Sequence, residues 1–537
     1  MLRCKRYASS WATANSNFKL LPDYKLKCGL EIHTQLNTPH KLFSMAENQP
    51  FQSMAEPNSR TSYFDVSLPG TQPNLNPEVV LYALKLAKSL DCKINLQSTF
   101  DRKHYFYGDQ PLGYQITQHY NPFAKNGVMC LNKQFDGILE NEHLINILQL
   151  QIEQDTGKTV YDEKDQISLI DLNRSNVPLV EMVTAPDFSD LKQIRAFIKK
   201  YQSLVRHLKV STGDLETGAM RIDVNISVND FARVELKNLP NTSSVMNSIK
   251  YEYMRQVEII RNNEAALKLQ QSETRGWTGV ETVKLRSKET TIDYRYMPDS
   301  ELPPLSLAPS IIEDVSSLIP ELPEEIMKKL MTAPYNLSLK DAKILTVSSS
   351  GHDALYTNEG LLEYYLQTFH KYVSLYDRFL INDSKPRINY KLPSNWIIHV
   401  MLGNLNKLQM HLDDCKLTPE GLANFLQMIN DNKISKTSGD LLLFHIMENN
   451  ISSPDFAALI SEFELNKIEQ VDETELTEIC SSIINDINDP KLLDQIKNGQ
   501  KKNSLKFLIG QGMRNTQGKI DAKLFEKTFK KLLSIKW

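Results

Sequence analysis

Residues 220–237 read MRIDVNISVNDFARVELK. Apolar side chains alternate through Met220, Ile222, Val224, Ile226 and Val228, and again at Val234 and Leu236. A period of two marks strands with one face in a core and the other in water. A turn around Asn229-Asp230, between the runs, predicts an antiparallel hairpin over 220–237. The same alternation recurs in 26–36 at Leu26, Cys28, Leu30, Ile32 and Leu36, and in 148–155 at Leu148, Leu150 and Ile152. Helical signals are interleaved. Asn76-Pro77-Glu78 gives an N-cap, an N1 proline and a first-turn acid, and opens a helix to about Leu90. Ser189 or Asp190 opens another, with Leu191, Ile194, Ile198, Tyr201, Val205 and Leu208 on one stripe. Residues 243–261 are a third. The chain up to about residue 305 therefore reads as α+β with a largely antiparallel sheet. After Pro303, Pro304, Pro309, Pro320 and Pro323 the alternation fades and helical periodicity takes over. Thr418-Pro419-Glu420 starts a helix with Leu422, Phe425, Leu426 and Ile429 inward. The expected organisation is a leader over 1–22, a sheet domain over 23–307, a helical domain over 308–414 and a helical tail domain over 415–537.

The polar faces of the strands carry acids. Opposite the apolar set, 26–36 presents Glu31, His33 and Gln35, and 148–155 presents Gln149, Gln151, Glu153 and Asp155. Residues 220–228 present Arg221, Asp223, Asn225 and Ser227; residues 232–237 present Arg233, Glu235 and Lys237. Glu181 lies between Leu179 and Val183. One such strand is an ordinary solvated face. Five of them sharing a sheet would bring carboxylates together, and these repel unless Arg, Lys or a divalent cation neutralises them. A carboxylate-rich oxygen site suits Mg²⁺. Two further segments fit a phosphate-bearing, base-bearing ligand. Residues 101–120, DRKHYFYGDQPLGYQITQHY, set Arg102, Lys103 and His104 beside Tyr105, Phe106, Tyr107 and Tyr114. Residues 284–296, KLRSKETTIDYRY, alternate Lys284, Arg286 and Lys288 on one strand face, as a phosphate-facing edge or a blunted sheet edge.

Composition narrows the classes. The 537 residues hold 62 Lys+Arg and 65 Asp+Glu, a net −3, which excludes nucleic-acid binding through bulk positive charge. Hydrophobic residues at 41% and charged residues at 24% are those of a globular protein, and no apolar run is long enough to span a membrane. The six cysteines are scattered with no C-x-x-C pair, so neither a disulfide framework nor a zinc ribbon is supported. The two ends depart from the average. The first 22 residues hold Arg3, Lys5, Arg6 and Lys19, several Ser and Ala, and no acid, the composition of a mitochondrial transit peptide. Residues 455–489 carry ten acids and one base, whereas 491–537 carry twelve bases and three acids. That basic block is either a solvated helix face or an electrostatic foot for RNA.

A set of ordered motifs then points to a family. GLEIHTQL (29–36), FDRKHYFYGDQPLGYQITQ (100–118), QIEQDTGK (151–158), DLNRSNVPLVEMV (171–183), GAMRIDVNISV (218–228), VELKNLPN (234–241) and DYRYMPD (293–299) resemble the GatB family, the B-type component of glutamyl-tRNA(Gln) amidotransferases. LTPEGLANFL (417–426) and IGQGMRNTQGK (509–519) resemble its YqeY-like tail domain. With the acid-free N-terminus, the likeness is to the mitochondrial, fungal-type members.

The resemblance implies an ATP- and Mg²⁺-dependent ligase, carbon–nitrogen with glutamine as amido donor. The sheet domain becomes a catalytic cradle. The glutamate side chain of misacylated Glu-tRNA(Gln) is phosphorylated there, and ammonia from the GatA-type amidase component displaces the phosphate. A small third component, GatF-type or GatC-type, and a mitochondrial matrix location are implied as well. Carried over by position, Glu31, His33, Glu153, Glu181, Asp223 and Glu235 would form the metal and nucleotide cradle. Lys237, Arg286 and Arg295 would neutralise the transferred phosphoryl group, with Lys288 on the nucleotide's phosphates. Lys103, His104, Tyr105, Tyr107 and Tyr114 would face ATP or the tRNA acceptor end, and the basic tail would grip the tRNA body. Two departures stand out. AEPNSRTSYFDVSLPG (55–70) has no cysteine where some bacterial relatives carry C-x-x-C, so no zinc is expected. Gly108 stands where relatives often have proline. A non-catalytic tRNA-binding or assembly protein of the same fold, and a ligase for a small carboxylate without RNA, are the competing readings; the intact set of acids favours the amidotransferase over the non-catalytic protein.

Overall fold

The computed structural model describes residues 18–534, except 50–54, 163, 288–293, 348–354, 378–387, 453, 464, 466–472, 488–495, 497–501, 517–519 and 521. Most of the expected leader, and Lys288, thus lie outside the described residues. The chain forms two compact units, one ending at Glu324 and the other starting at Glu325. In chain order the first unit carries β1 (Leu26–Gln35), β2 (Lys93–Ile94), β3 (Gln97–Ser98), β4 (Asp101–His104), β5 (Tyr114–Thr117), β6 (Ala124–Asn132), β7 (Glu142–Gln154) and β8 (Lys158–Asp162). It continues with β9 (Ile167–Asp171), β10 (Pro178–Thr184), β11 (Met220–Val228), β12 (Val234–Lys237), β13 (Glu273–Trp277), β14 (Thr282–Ser287), β15 (Met297–Pro298) and β16 (Leu305–Ser306).

Nine of these strands form one sheet in the order β14-β13-β12-β11-β1-β10-β7-β6-β2. Every neighbouring pair is antiparallel except β12 and β13, whose parallel pairing requires the long crossover that holds the Thr242–Arg261 helix. The predicted hairpin is β11 and β12, registered Val224↔Leu236 and Ile226↔Val234, with Asn229 and Asp230 both at positive φ in its turn. One face of the sheet is apolar. Leu30, Ile32, Leu150, Ile152, Val180, Met182, Ile222 and Val224 are buried in a core shared with the Pro77–Ser89, Leu191–His207 and Thr242–Arg261 helices. Each such side chain contributes roughly 1.5–3 kcal/mol by leaving water. The helix starts follow the sequence signals. Asn76 Oδ1 accepts from Glu78 N at 3.0 Å, and Asp190 forms a capping box with Gln193. Lys284 and Arg286 lie on β14, and the residues that follow Ser287, 288–293, lie outside the described residues.

Smaller sheets decorate this layer. β15-β4-β5 make a three-stranded sheet, and β16/β3 and β8/β9 make two-stranded ribbons. Phe18 and Leu21, within the span expected as a leader, are half-buried against the core. The Phe18 ring meets Tyr253 edge-on at 5.9 Å, and Tyr253 Oη accepts from Leu21 N at 3.0 Å and donates to Tyr24 O at 2.8 Å. In the second unit, the described secondary structure is helical. Its C-terminal core is built by Leu476, Cys480, Ile483, Leu505, Leu508, Phe525 and Phe529 from three helices. Gly512 lets two of them approach closely, since a Cβ there would sit 2.8 Å from the Phe525 ring.

Beyond β1 the chain is pinned by a fully buried ion pair. Lys41 Nζ lies 3.1 Å from Asp65 Oδ2, with neither side chain exposed. Asp65 also accepts from Ser44 Oγ (3.0 Å), Asn176 Nδ2 (2.9 Å) and Ser62 N (2.8 Å). Lys41→Met leaves this carboxylate buried without its cation. It is expected to destabilise the first unit by about 3–5 kcal/mol, read as a lower urea midpoint at unchanged slope.

Candidate functional site

The polar face of the nine-stranded sheet carries the acids, and the register brings them together. Glu31 and His33 alternate on β1, the central strand. Asp223 on β11 is opposite Glu31, and Glu235 on β12 is opposite Asn225, one step along β11. On the other side Glu181 of β10 is opposite His33, and Glu153 of β7 is opposite Leu179, one step along β10. Two triads result, His33–Glu153–Glu181 and Glu31–Asp223–Glu235. Within each, one ligand atom per residue lies within 4.8 Å of the others.

The charges are only partly compensated. Lys237 Nζ lies 2.5 Å from Asp223 Oδ2 and 3.0 Å from Glu235 Oε1. Burial works against its charge, yet these two carboxylates outweigh it and hold the ammonium protonated. Lys103, reaching in from β4, is likewise raised, chiefly by Glu153 and with help from Glu181. Burial pushes Glu31, Glu153 and Glu181 above the usual carboxylate range; Glu235 and Asp223 add to the effect at Glu31, and Glu181 adds at Glu153. Burial lowers His33, so its imidazole is neutral and keeps a lone pair to offer; its Nδ1 lies 3.9 Å from Glu153 Oε1. Glu153 Oε2 is buried with no hydrogen-bond partner. An orphaned carboxylate oxygen beside a neutral imidazole and a second carboxylate is a donor set that fits a hard divalent cation.

Neutral residues aim the ligands. Asn225 Nδ2 donates to Glu31 Oε1 at 2.8 Å, Thr274 Oγ1 donates to Glu235 Oε2 at 2.8 Å, and Gln151 Nε2 donates to Glu181 Oε2. Arg221, opposite His33, is held by the buried Asp155 at 2.8 Å. Asp155 also accepts from Gln35 Nε2 at 2.9 Å; burial opposes its charge, but Arg221 and Arg174 hold it below the usual range. Gln151 and Asn225 are visible in sequence as polar-face residues, but only the register shows which acid each one orients.

The other expected residues are dispersed. Tyr105 and Tyr107 pair with ring centroids 4.4 Å apart, and burial pushes the Tyr105 phenol up to about 12. His104 faces backbone: its Nδ1 lies 3.1 Å from Tyr294 O and 2.8 Å from Arg295 O. Tyr114 lies under the Arg102 guanidinium at 4.3 Å, and Arg102 is itself bound to buried Asp299 at 2.7 Å. Arg295 is exposed, with φ +42°. Arg286 sits on β14 opposite Thr274, which in turn is opposite Glu235 of β12. The structure brings together the six expected metal residues, Lys237 and Lys103.

Comparison with known proteins places this geometry. The model of the GatB/GatE catalytic domain matches residues 26–313, the span that contains both triads, and that of the GatB domain matches 381–533. The chain belongs to the GatB/GatE family. It is 60% identical over 531 residues to the mitochondrial B-type component of the glutamyl-tRNA(Gln) amidotransferase of Zygosaccharomyces rouxii, covering 97% of each chain. It is 60% identical to that of Lachancea thermotolerans, covering 98% of this chain and 96% of the relative, and 56% identical to that of Saccharomyces cerevisiae over all of both. With such relatives named as mitochondrial, this GatB/GatE chain is a mitochondrial protein. No helix among the described residues is long and apolar enough to cross a membrane.

The raised carboxyls fix a sign. Without a cation the folded state holds these protons more tightly than the unfolded chain, so this contribution to stability is lost as pH rises through the raised values. A divalent cation competes with those protons and replaces the missing positive charge. The thermal-midpoint increase caused by millimolar Mg²⁺ is therefore expected to be larger at about pH 7.5 than at about pH 5.5. Scanning calorimetry at the two pH values checks this; an increase larger at the lower pH contradicts the assignment.

Proposed function

We propose that this chain is the activating component of a mitochondrial glutamyl-tRNA(Gln) amidotransferase. It would use ATP and Mg²⁺ to phosphorylate the side-chain carboxylate of glutamate on Glu-tRNA(Gln), and ammonia then displaces phosphate to give Gln-tRNA(Gln). The observation that carries the reading is the pair of adjacent triads on one sheet face. A carboxylate is a poor acyl donor to an amine because oxide is a poor leaving group, and an acyl phosphate removes that obstacle. Phosphoryl transfer asks a protein for positioning and charge neutralisation and needs no protein nucleophile. His33, Glu153 and Glu181 on one side, and Glu31, Asp223 and Glu235 on the other, are the residues that would hold Mg²⁺. The cation, when bound, supplies charge neutralisation at the transferred phosphoryl oxygens. Lys237 and Lys103, each already protonated between acids, bring two further cationic heads to the same face. Asn225, Gln151 and Thr274 fix the rotamers of Glu31, Glu181 and Glu235 before substrate arrives.

The relatives are each named as one component of an amidotransferase, which supports a role within a multi-subunit enzyme. A GatA-type amidase as ammonia source and a small GatF-type or GatC-type protein complete the proposed assembly. In the reconstituted complex, Glu153→Gln and Asp223→Asn are expected to lower the transamidation rate about 10²–10³-fold. The loss should be the same with glutamine or with ammonium as nitrogen donor, because the step removed precedes ammonia attack. Unchanged rates with either donor would falsify the role given to the triads.

The tail supports tRNA binding by a local charge stripe. In the Ala522–Leu532 helix, Phe525 and Phe529 are buried, while Lys523, Lys527 and Lys531 recur at every fourth position and are exposed. Such a stripe suits a phosphate backbone. Replacing all three by Gln is expected to weaken Glu-tRNA(Gln) binding and to flatten the slope of log K against log salt by about 2–3. Filter binding across a salt series tests it, and an unchanged slope removes the tail from the tRNA interface.

A further inference from the structure

We infer that the ring stack formed by His119 and Tyr296, beside the carboxylate cradle, is the seat of an adenine base. The base belongs either to ATP or to the 3′-terminal adenosine that carries the glutamate. This inference rests on the proposed function, since both sources attach an adenine through a ribose to a group reacting at the triads.

The stack is built rather than incidental. His119 follows β5 and Tyr296 precedes β15, and β4 lies between those two strands. The two rings are parallel within 7° with centroids 3.8 Å apart. Tyr120 stands edge-on to both, at 4.9 Å and 6.3 Å. Each half is bolted to β4 or its flank. Tyr120 N donates to buried Asp101 Oδ2 at 2.9 Å. His104 N donates to Tyr294 O at 2.9 Å, Asp299 N donates to Phe100 O at 2.9 Å, and Arg102 Nε donates to Asp299 Oδ2 at 2.7 Å. These bonds explain why His104 and Arg102 face protein: they hold the platform.

The rings are not core. His119 is exposed and Tyr120 is 59% exposed, so ordered ring surface is left in water. Aromatic faces of this kind stack bases without reading their sequence, and a preformed stack loses little conformational freedom on binding. The platform is also continuous with the triads. Lys103 Nζ lies 5.2 Å from the Tyr294 ring centroid, in the field of Glu153 and Glu181, and the Tyr294 and Tyr296 rings are 6.0 Å apart. A nucleoside whose base lies on the stack has a path along Tyr294 and Lys103 for its phosphates or its ester.

The test uses the reconstituted complex with steady-state kinetics in both ATP and Glu-tRNA(Gln). His119→Leu and Tyr296→Leu are expected to raise one KM about tenfold, with a smaller change in kcat. Tyr296→Phe, which keeps the ring, should keep most of the affinity. A rise confined to ATP identifies ATP as the source. A rise confined to Glu-tRNA, absent when tRNA lacking its terminal adenosine is titrated as a competitor, identifies the tRNA end. Both KM values unmoved in an active complex, or Tyr296→Phe as damaging as Tyr296→Leu, overturns the stacking seat while leaving the proposed function standing. A wild-type complex that does not amidate Glu-tRNA(Gln) overturns both. His119→Leu, at an exposed ring, decides the matter if Tyr296→Leu does not fold.

Discussion

Five carboxylates crowded on one face of a sheet is the arrangement around which the rest of this molecule is organised. Two unit charges 4.8 Å apart repel by about 3 kcal/mol at the effective dielectric of a partly buried site. A chain free to relax would separate them. The acids stay because they sit at fixed positions on β12, β11, β1, β10 and β7, and moving one means moving its strand. Slipping any of these strands by one residue would turn its acids into the core and its Ile, Leu or Val side chains into water. The apolar face therefore enforces the polar one.

That enforcement explains why the acids sit in two groups rather than one. β1 lies at the centre and contributes one residue to each triad, Glu31 and His33. Its neighbours complete the triads from opposite sides, β11 and β12 for Glu31, β10 and β7 for His33. Lys237 and Lys103 then enter from different directions, one within the sheet and one from the small sheet that flanks it. The protein thus carries two internal cations in the field of the two triads.

The five strands β12, β11, β1, β10 and β7, the three helices packed on them and the polar-face placement of the six triad residues were legible in the sequence because each depends on local alternation or a local cap. What was not legible depends on partners remote along the chain. Nothing near Arg102 shows that Asp299, nearly two hundred residues on, will take its guanidinium, or that His104 will clamp the backbone at Tyr294. Lys103 looked like one of three equivalent cations in DRKH, and only its reach to Glu153 of β7 and Glu181 of β10 separates it from the other two. Tyr296 and His119 were each part of an aromatic-rich segment, but their stacking requires the pairing of β4 with both β5 and β15. The same holds for Phe18 and Leu21, half-buried against the core, whose partner Tyr253 lies more than two hundred residues later.

The central place of β1 also has a consequence for how this chain acquires its structure. The first strand made waits for partners far along the chain. Leu30 N reaches Thr184 Oγ1 across 154 residues, and Leu26 pairs with Val228. Until β10 has been made β1 has two unpaired edges, and until β11 has been made it still has one. Contacts of such long range make folding slow and leave early intermediates prone to association. A chain that ends before β11 therefore leaves one edge of β1 without its partner, and the acid-lined face can assemble only once β12 has been made.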